Sequence, residues 1–156
     1  VLTPPPGMVD IGSPFAFLYL YETLEKVGRS DVIIDAIYDG YLPMIERGET
    51  TVTERLGDHH RSRCHAWSSS PCYFLNRIIL GIRQTEAGCR AFEISPMVTN
   101  GITHAQGAVA PPFGPLSVSW QIDGTDLNGR VSAPAGIEAV FKPNDTHTGL
   151  LPKFVP

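Results

Sequence analysis

The stretch Leu116-Ser117-Val118-Ser119-Trp120-Gln121-Ile122 decides the fold. Its apolar side chains fall on every second position with polar ones between them, the period of a strand that buries one face and wets the other. Shorter runs of the same character lie at 90–94, 103–109, 130–132 and 138–141, divided by proline and glycine clusters at 111–115 and 134–136. Such clusters turn the chain, and strands at that spacing predict an antiparallel β-sandwich. The tail, 144–156, with Gly149, Pro152 and Pro156 among few periodic apolar positions, reads as irregular.

Before Ile82 the period is helical. Ser13 and Pro14 fit a helix start, and Phe17, Leu18, Tyr21 and Leu24 recur at helical spacing until Gly28. Ser30 reads as a second cap, with Val32, Ile33, Ala36 and Ile37 as the apolar face and a continuation from Pro43 to a stop at Gly48. A third helix begins near Ser70 with Pro71 in its first turn. It carries Tyr73, Phe74, Leu75, Ile78 and Ile79 as its apolar side and stops at Gly81. The expected fold class is therefore α+β: a helical segment over 1–81, then a small sandwich with an irregular tail over 82–156. The first twelve residues, with Pro4, Pro5, Pro6 and Gly7, favour an extended arm. No internal repeat or low-complexity run is present.

The chain has 156 residues, 42% of them hydrophobic and 18% charged, a globular composition with room for one ordinary domain or two small ones. A net charge of −4 with scattered basic residues offers no field for a polyanion, so nucleic acid is not an expected partner. No apolar run approaches the roughly 20 residues that cross a bilayer, and no signal-peptide pattern is present, so no membrane is expected as partner. The chain begins at Val1 and not at Met, which suggests that it was cut from something longer. Cys64, Cys72 and Cys89 make an odd count without metal-ligand spacing, favouring free or buried thiols over a disulfide.

Residues 49–68 have no clear period and read as a long loop, which within a compact domain is usually functional. The loop holds Glu49, Glu54, Asp58, His59, His60, His65 and Trp67. Glycoside cleavage needs a carboxylate to activate water and an aromatic face to hold the ring, and this loop carries both types. A solvated polar loop whose Trp67 packs on a neighbouring helix would have the same composition. Adjacent His59 and His60 point in different directions, and no pair with His65 or Cys64 has ligand spacing, so no metal and no cofactor is expected.

Several ordered segments resemble glycoside hydrolase family 78, the α-L-rhamnosidases. Ser62-Arg63-Cys64-His65-Ala66-Trp67-Ser68 is similar to the SxCHAWS signature at the entrance of that family's final barrel helix. The run from Gly12 to Leu20, the Tyr73-Phe74-Leu75 run, the Gly81-Ile82 step and the passage from Gly107 through Pro115 into Leu116 to Trp120 agree with it, so the resemblance covers roughly 10–142. It implies the end of a helical (α/α)₆ barrel followed by a C-terminal sandwich, acting by inversion with two carboxylates. The segment Glu46-Arg47-Gly48-Glu49-Thr50-Thr51-Val52-Thr53-Glu54 is similar to the ERGxTTxxE motif, which makes Glu54 the general base. By the same resemblance His65 contacts substrate or holds Glu54, and Trp67 stacks on sugar or packs in the barrel. Thr53 stands where the family commonly has an aromatic residue, and the family's general acid lies upstream of the matching region.

Three readings follow. The first is the C-terminal part of an inverting rhamnosidase-like enzyme, inactive by itself, with carbohydrate as partner and secretion expected from the substrate class. The second is a non-catalytic, lectin-like module that binds sugar through Trp67, His65 or the sandwich surface. The third is a truncated homologue whose unpaired helix faces drive self-association or association with the missing barrel portion.

Overall fold

Pro14 places a short 3₁₀ turn, Pro14–Ala16, ahead of the first helix, and the Ser13 hydroxyl accepts from the Phe15 amide at 3.5 Å to close it. We describe a computed structural model, covering residues 4–9, 11–57, 61–99 and 101–156. The chain divides into two compact units, Val1–Phe74 and Leu75–Pro156.

Unit 1 is helical. Helix α1 (Phe17–Lys26) ends where Gly28, at φ +75°, adopts the left-handed backbone that glycine enters without a steric penalty. The Arg29 amide then donates to the Leu24 carbonyl at 2.8 Å. Helix α2 (Ser30–Glu46) runs unbroken through Pro43 to the next left-handed glycine, Gly48. Its cap position is held by Arg29 with no side-chain hydrogen bond, and Ser30, expected as the cap, is already helical. The charge of Asp31 in the first turn favours the helix start in place of that hydroxyl, and Asp31 pairs with Arg29 at 2.9 Å. Tyr21, fully buried, stacks on Phe17 at 5.4 Å and meets the edge of Phe74 at 5.3 Å. Ile33, Ile37 and Met44 complete this core, each buried side chain contributing about 1.5–3 kcal/mol.

Helix α3 (Ser70–Ile78) buries Phe74 and Ile78. Tyr73 and Leu75, expected on the same side, are exposed because they lie about 100° to either side of Phe74 around the helix, whereas Ile78, four positions on, shares its face. The division into units falls inside α3, upstream of the 81/82 change in period. The reason lies in unit 2. The Trp120 indole donates to the Ile79 carbonyl at 2.8 Å, and the Leu80 side chain fills the space where Gly107 lacks a Cβ.

Unit 2 is a sandwich of two sheets. One sheet orders β1 (Ile82–Gln84), β2 (Ala91–Ile94) and β6 (Glu138–Phe141) as β1-β2-β6. The other orders β3 (His104–Val109), β4 (Leu116–Asp123), β5 (Asp126–Ser132) and β7 (Leu151–Val155) as β3-β4-β5-β7. Along β4, Leu116, Val118 and Trp120 are buried while the residues between them are not, as the alternation requires. The antiparallel pairs are β1 with β2, β3 with β4 and β4 with β5, and each sheet adds one parallel neighbour, β6 on β2 and β7 on β5.

The tail is ordered, contrary to expectation. Asn144 caps a 3₁₀ turn, Asp145–His147, and its side-chain nitrogen donates to Ser95 Oγ at 3.0 Å and to the Pro96 carbonyl at 2.9 Å. Buried His147 accepts the Asn144 amide at Nδ1 and bonds the Pro96 carbonyl through Nε2 at 2.7 Å. These bonds anchor the turn, and β7 then places Phe154 on Phe141 at 4.0 Å between ring centres, linking the two sheets.

Candidate active-site loop

Residues 49–68 are a loop, but one folded back on itself. The Glu54 amide donates to the Ser62 carbonyl at 3.0 Å, and the His65 amide donates to the Val52 carbonyl at 2.9 Å. Thr51 adds a side-chain bond to the Arg63 carbonyl. Those bonds bring the two ends of the loop together, so Glu54 and His65 stand on facing strands of one irregular hairpin. The Ser13 hydroxyl, just ahead of α1, donates to the Glu54 carbonyl at 3.1 Å and fixes the hairpin against the helix start.

Thr53 is fully buried, its hydroxyl donating to the Arg55 carbonyl at 2.7 Å and lying 3.6 Å from the Met44 sulfur. The position before Glu54 therefore offers no surface to a ligand. Glu54 itself is half-buried. Among the described residues its carboxylate forms no hydrogen bond and no ion pair, with Arg55 and Arg61 included. Glu49 differs, its carboxylate lying 3.9 Å from the Arg63 guanidinium. An unengaged carboxylate on a braced backbone can accept a proton from water.

Trp67, in a 3₁₀ turn Ala66–Ser68, is 68% exposed, so packing in a core does not account for it. The Phe15 ring lies 5.2 Å from its ring, the His65 ring 6.0 Å away at an interplanar angle of 70°, and Tyr19 meets Phe15 edge-on at 5.6 Å. Phe15 and Tyr19 are themselves 37% and 59% exposed. The run from Gly12 to Leu20 contains both rings, but the motif assigned them no role. Their spacing, one helical turn apart on the face opposite buried Phe17 and Tyr21, is the signal that could have found them. Beneath this cluster, the Tyr41 hydroxyl donates to the Ser68 carbonyl at 2.8 Å, and burial pushes Tyr41 up to about 12.

Asp58, His59 and His60 lie outside the described residues. Among the described residues no group of three or more His, Cys, Asp and Glu side chains converges, and no helix is long and apolar enough to cross a membrane. Among the described residues Cys64, Cys72 and Cys89 form no disulfide, and the first two are exposed.

The matching family model is the bacterial α-L-rhamnosidase C-terminal domain, over residues 81–150. The chain is 25% identical over 148 residues to an α-L-rhamnosidase of Alteromonas sp. (strain LOR), covering 85% of this chain and 16% of that protein. It is 24% identical over 157 residues to an α-L-rhamnosidase of Formosa agariphila, covering 90% of this chain and 16% of that protein. The crystal structure of a family 78 rhamnosidase from Bacillus sp. GL1 superposes with a TM-score of 0.84 at 35% identity, over 97% of this chain and 17% of that one. The α-L-rhamnosidase of Dictyoglumus thermophilum, at 24% identity and a TM-score of 0.69 over 81% of this chain and 15% of that one, shares the fold. The chain thus resembles the family 78 α-L-rhamnosidases and spans about one sixth of the length of the curated relatives it matches.

Proposed function

We propose that the chain is the C-terminal part of an inverting α-L-rhamnosidase-like glycoside hydrolase, in which Glu54 is the general base. The observation that carries this reading is the half-buried Glu54 carboxylate, without a hydrogen-bond or ion-pair partner among the described residues, on the same hairpin as His65 and the exposed Trp67. Helices α1 to α3 are then closing elements of a helical barrel, and carbohydrate is the partner. We also assign secretion, from the substrate class.

In an inverting displacement one carboxylate deprotonates a water on the far face of the sugar while a second protonates the leaving oxygen. Glu54 takes the water's proton, and the attacking oxygen forms its bond to the anomeric carbon as the glycosidic bond breaks. Trp67, Phe15 and Tyr19 offer ring faces against which sugar C–H groups can lie, and His65 can hydrogen-bond a sugar hydroxyl. Following the family resemblance, the proton donor is assigned to a segment upstream of the matching region.

Incubation with an aryl α-L-rhamnoside tests this directly, and the chain by itself should release no phenol. Turnover at enzymic rates would show that the acid is present and overturn the division of labour. In an enzyme that includes the upstream acid, Glu54→Gln should lower kcat by roughly 10²–10⁴-fold. Azide, which needs no deprotonation, should restore turnover and yield the rhamnosyl azide of inverted configuration. An unchanged kcat would remove Glu54 from the chemistry.

A further inference from the structure

The outer face of the β3-β4-β5-β7 sheet is a separate polar surface. While Leu116, Val118, Trp120 and Leu127 face the sandwich interior, the register aligns His104, Gln121 and Asn128 in one exposed row and Gln106, Ser119 and Arg130 in the next. Two grooves, of about 510 and 460 Å³, lie along these rows and share Gln106, Ser119 and Arg130. Ser117 and Ser132 extend the second groove.

Two features of this face bear on what it could bind. Among the described residues, the side chains of Gln106, Gln121, Asn128 and Arg130 have no hydrogen-bond or ion-pair partner, so three amides and a guanidinium present free donors and acceptors side by side. In addition, Arg130 has no ion-pair partner among the described residues of a chain of net charge −4. The carboxylate at the start of β5, Asp126, is held by Lys153 at 2.5 Å, and neither groove is lined by Asp or Glu.

We propose that this face binds an acidic oligosaccharide. Arg130 takes the carboxylate or sulfate of one sugar residue through its fork of donors, and Gln106, Gln121 and Asn128 bond the hydroxyls around it. A guanidinium selects planar or tetrahedral oxyanions, and amides both donate to and accept from hydroxyls, which is the pairing a charged sugar supplies. The grooves are open and polar, suited to a chain lying across strands rather than to an enclosed apolar ligand. The site is in unit 2 and does not depend on the role of Glu54.

Amide chemical shifts of the intact chain, followed during titration with sodium glucuronate, a sulfated galactose, neutral galactose and inorganic sulfate, test the proposal. Either acidic sugar should shift residues 104–106, 119–121 and 128–130 saturably, at least tenfold more tightly than galactose or free sulfate, and the two acidic arms distinguish carboxylate from sulfate recognition. Arg130→Gln should remove the preference for the acidic sugars, and Gln121→Ala should weaken binding while leaving the spectrum otherwise folded. Equal affinity for free sulfate would mean anion attraction without sugar recognition and overturn the proposal. So would shifts confined to unit 1 or no shifts at all.

Discussion

Phe154 pairs with Gly129 across the parallel β5–β7 register, and its ring occupies the volume that a Cβ at position 129 would need. Gly129→Ala should therefore push β7 off its neighbour. The expected cost is about 1–3 kcal/mol, the range for overpacking, with loss of hydrogen-exchange protection at 151–155 and little change in β3 and β4. Unchanged protection would mean that β7 is held by something other than the Phe154 contact.

Among the glycines of unit 2, Gly81 alone would bring a Cβ against main-chain atoms. It sits at φ +68°, and a Cβ there would overlap the Ser95 carbonyl carbon. Gly81→Ala adds left-handed strain to a clash with main chain that cannot rotate away. A loss of at least about 3 kcal/mol is expected, read as a fall of more than about 10 °C in the melting midpoint.

Alkali should weaken unit 1. Burial raises Tyr41 from 10.0 to about 12, and burial also raises Tyr21. Between those values the unfolded chain has lost the proton and the folded chain keeps it, so stability is whole below pH 10.0 and falls as pH rises through about 12. Tyr41→Phe removes one titrating group along with its bond to Ser68. Urea midpoints measured from pH 9 to 12 should fall less steeply in that variant, from a starting stability lower by about 1 kcal/mol.

Trp67→Ala should be nearly silent in stability, within about 0.5 kcal/mol, because most of the indole faces water. If the ring is a sugar platform, the same change should weaken binding of rhamnosides to the complete enzyme at least tenfold. A large stability loss with unchanged binding would assign it to packing instead.

The sequence was most legible where one physical signal acted alone. Leu116, Val118 and Trp120 alternate because one sheet face is buried, and the left-handed glycines Gly28, Gly48 and Gly81 mark stops because other residues are strained there. Strand β7 was hidden because Leu151-Pro152-Lys153-Phe154-Val155 does not alternate and contains a proline, which an edge strand tolerates. Its pairing with β5 is a long-range event that local pattern does not encode. At the loop, the motif led to Glu54, His65 and Trp67. The rings of Phe15 and Tyr19 reach the loop because the Ser13 hydroxyl holds α1's start to the Glu54 backbone, a long-range contact that local pattern does not encode.

The two tryptophans occupy opposite environments, Trp67 68% exposed in unit 1 and Trp120 2% exposed in unit 2. The molecule thus carries one native optical reporter in each unit. Iodide should quench the red-shifted emission of Trp67 and spare the blue-shifted emission of Trp120, so melting of the helices and of the sandwich can be followed as two colours in a single unlabelled sample.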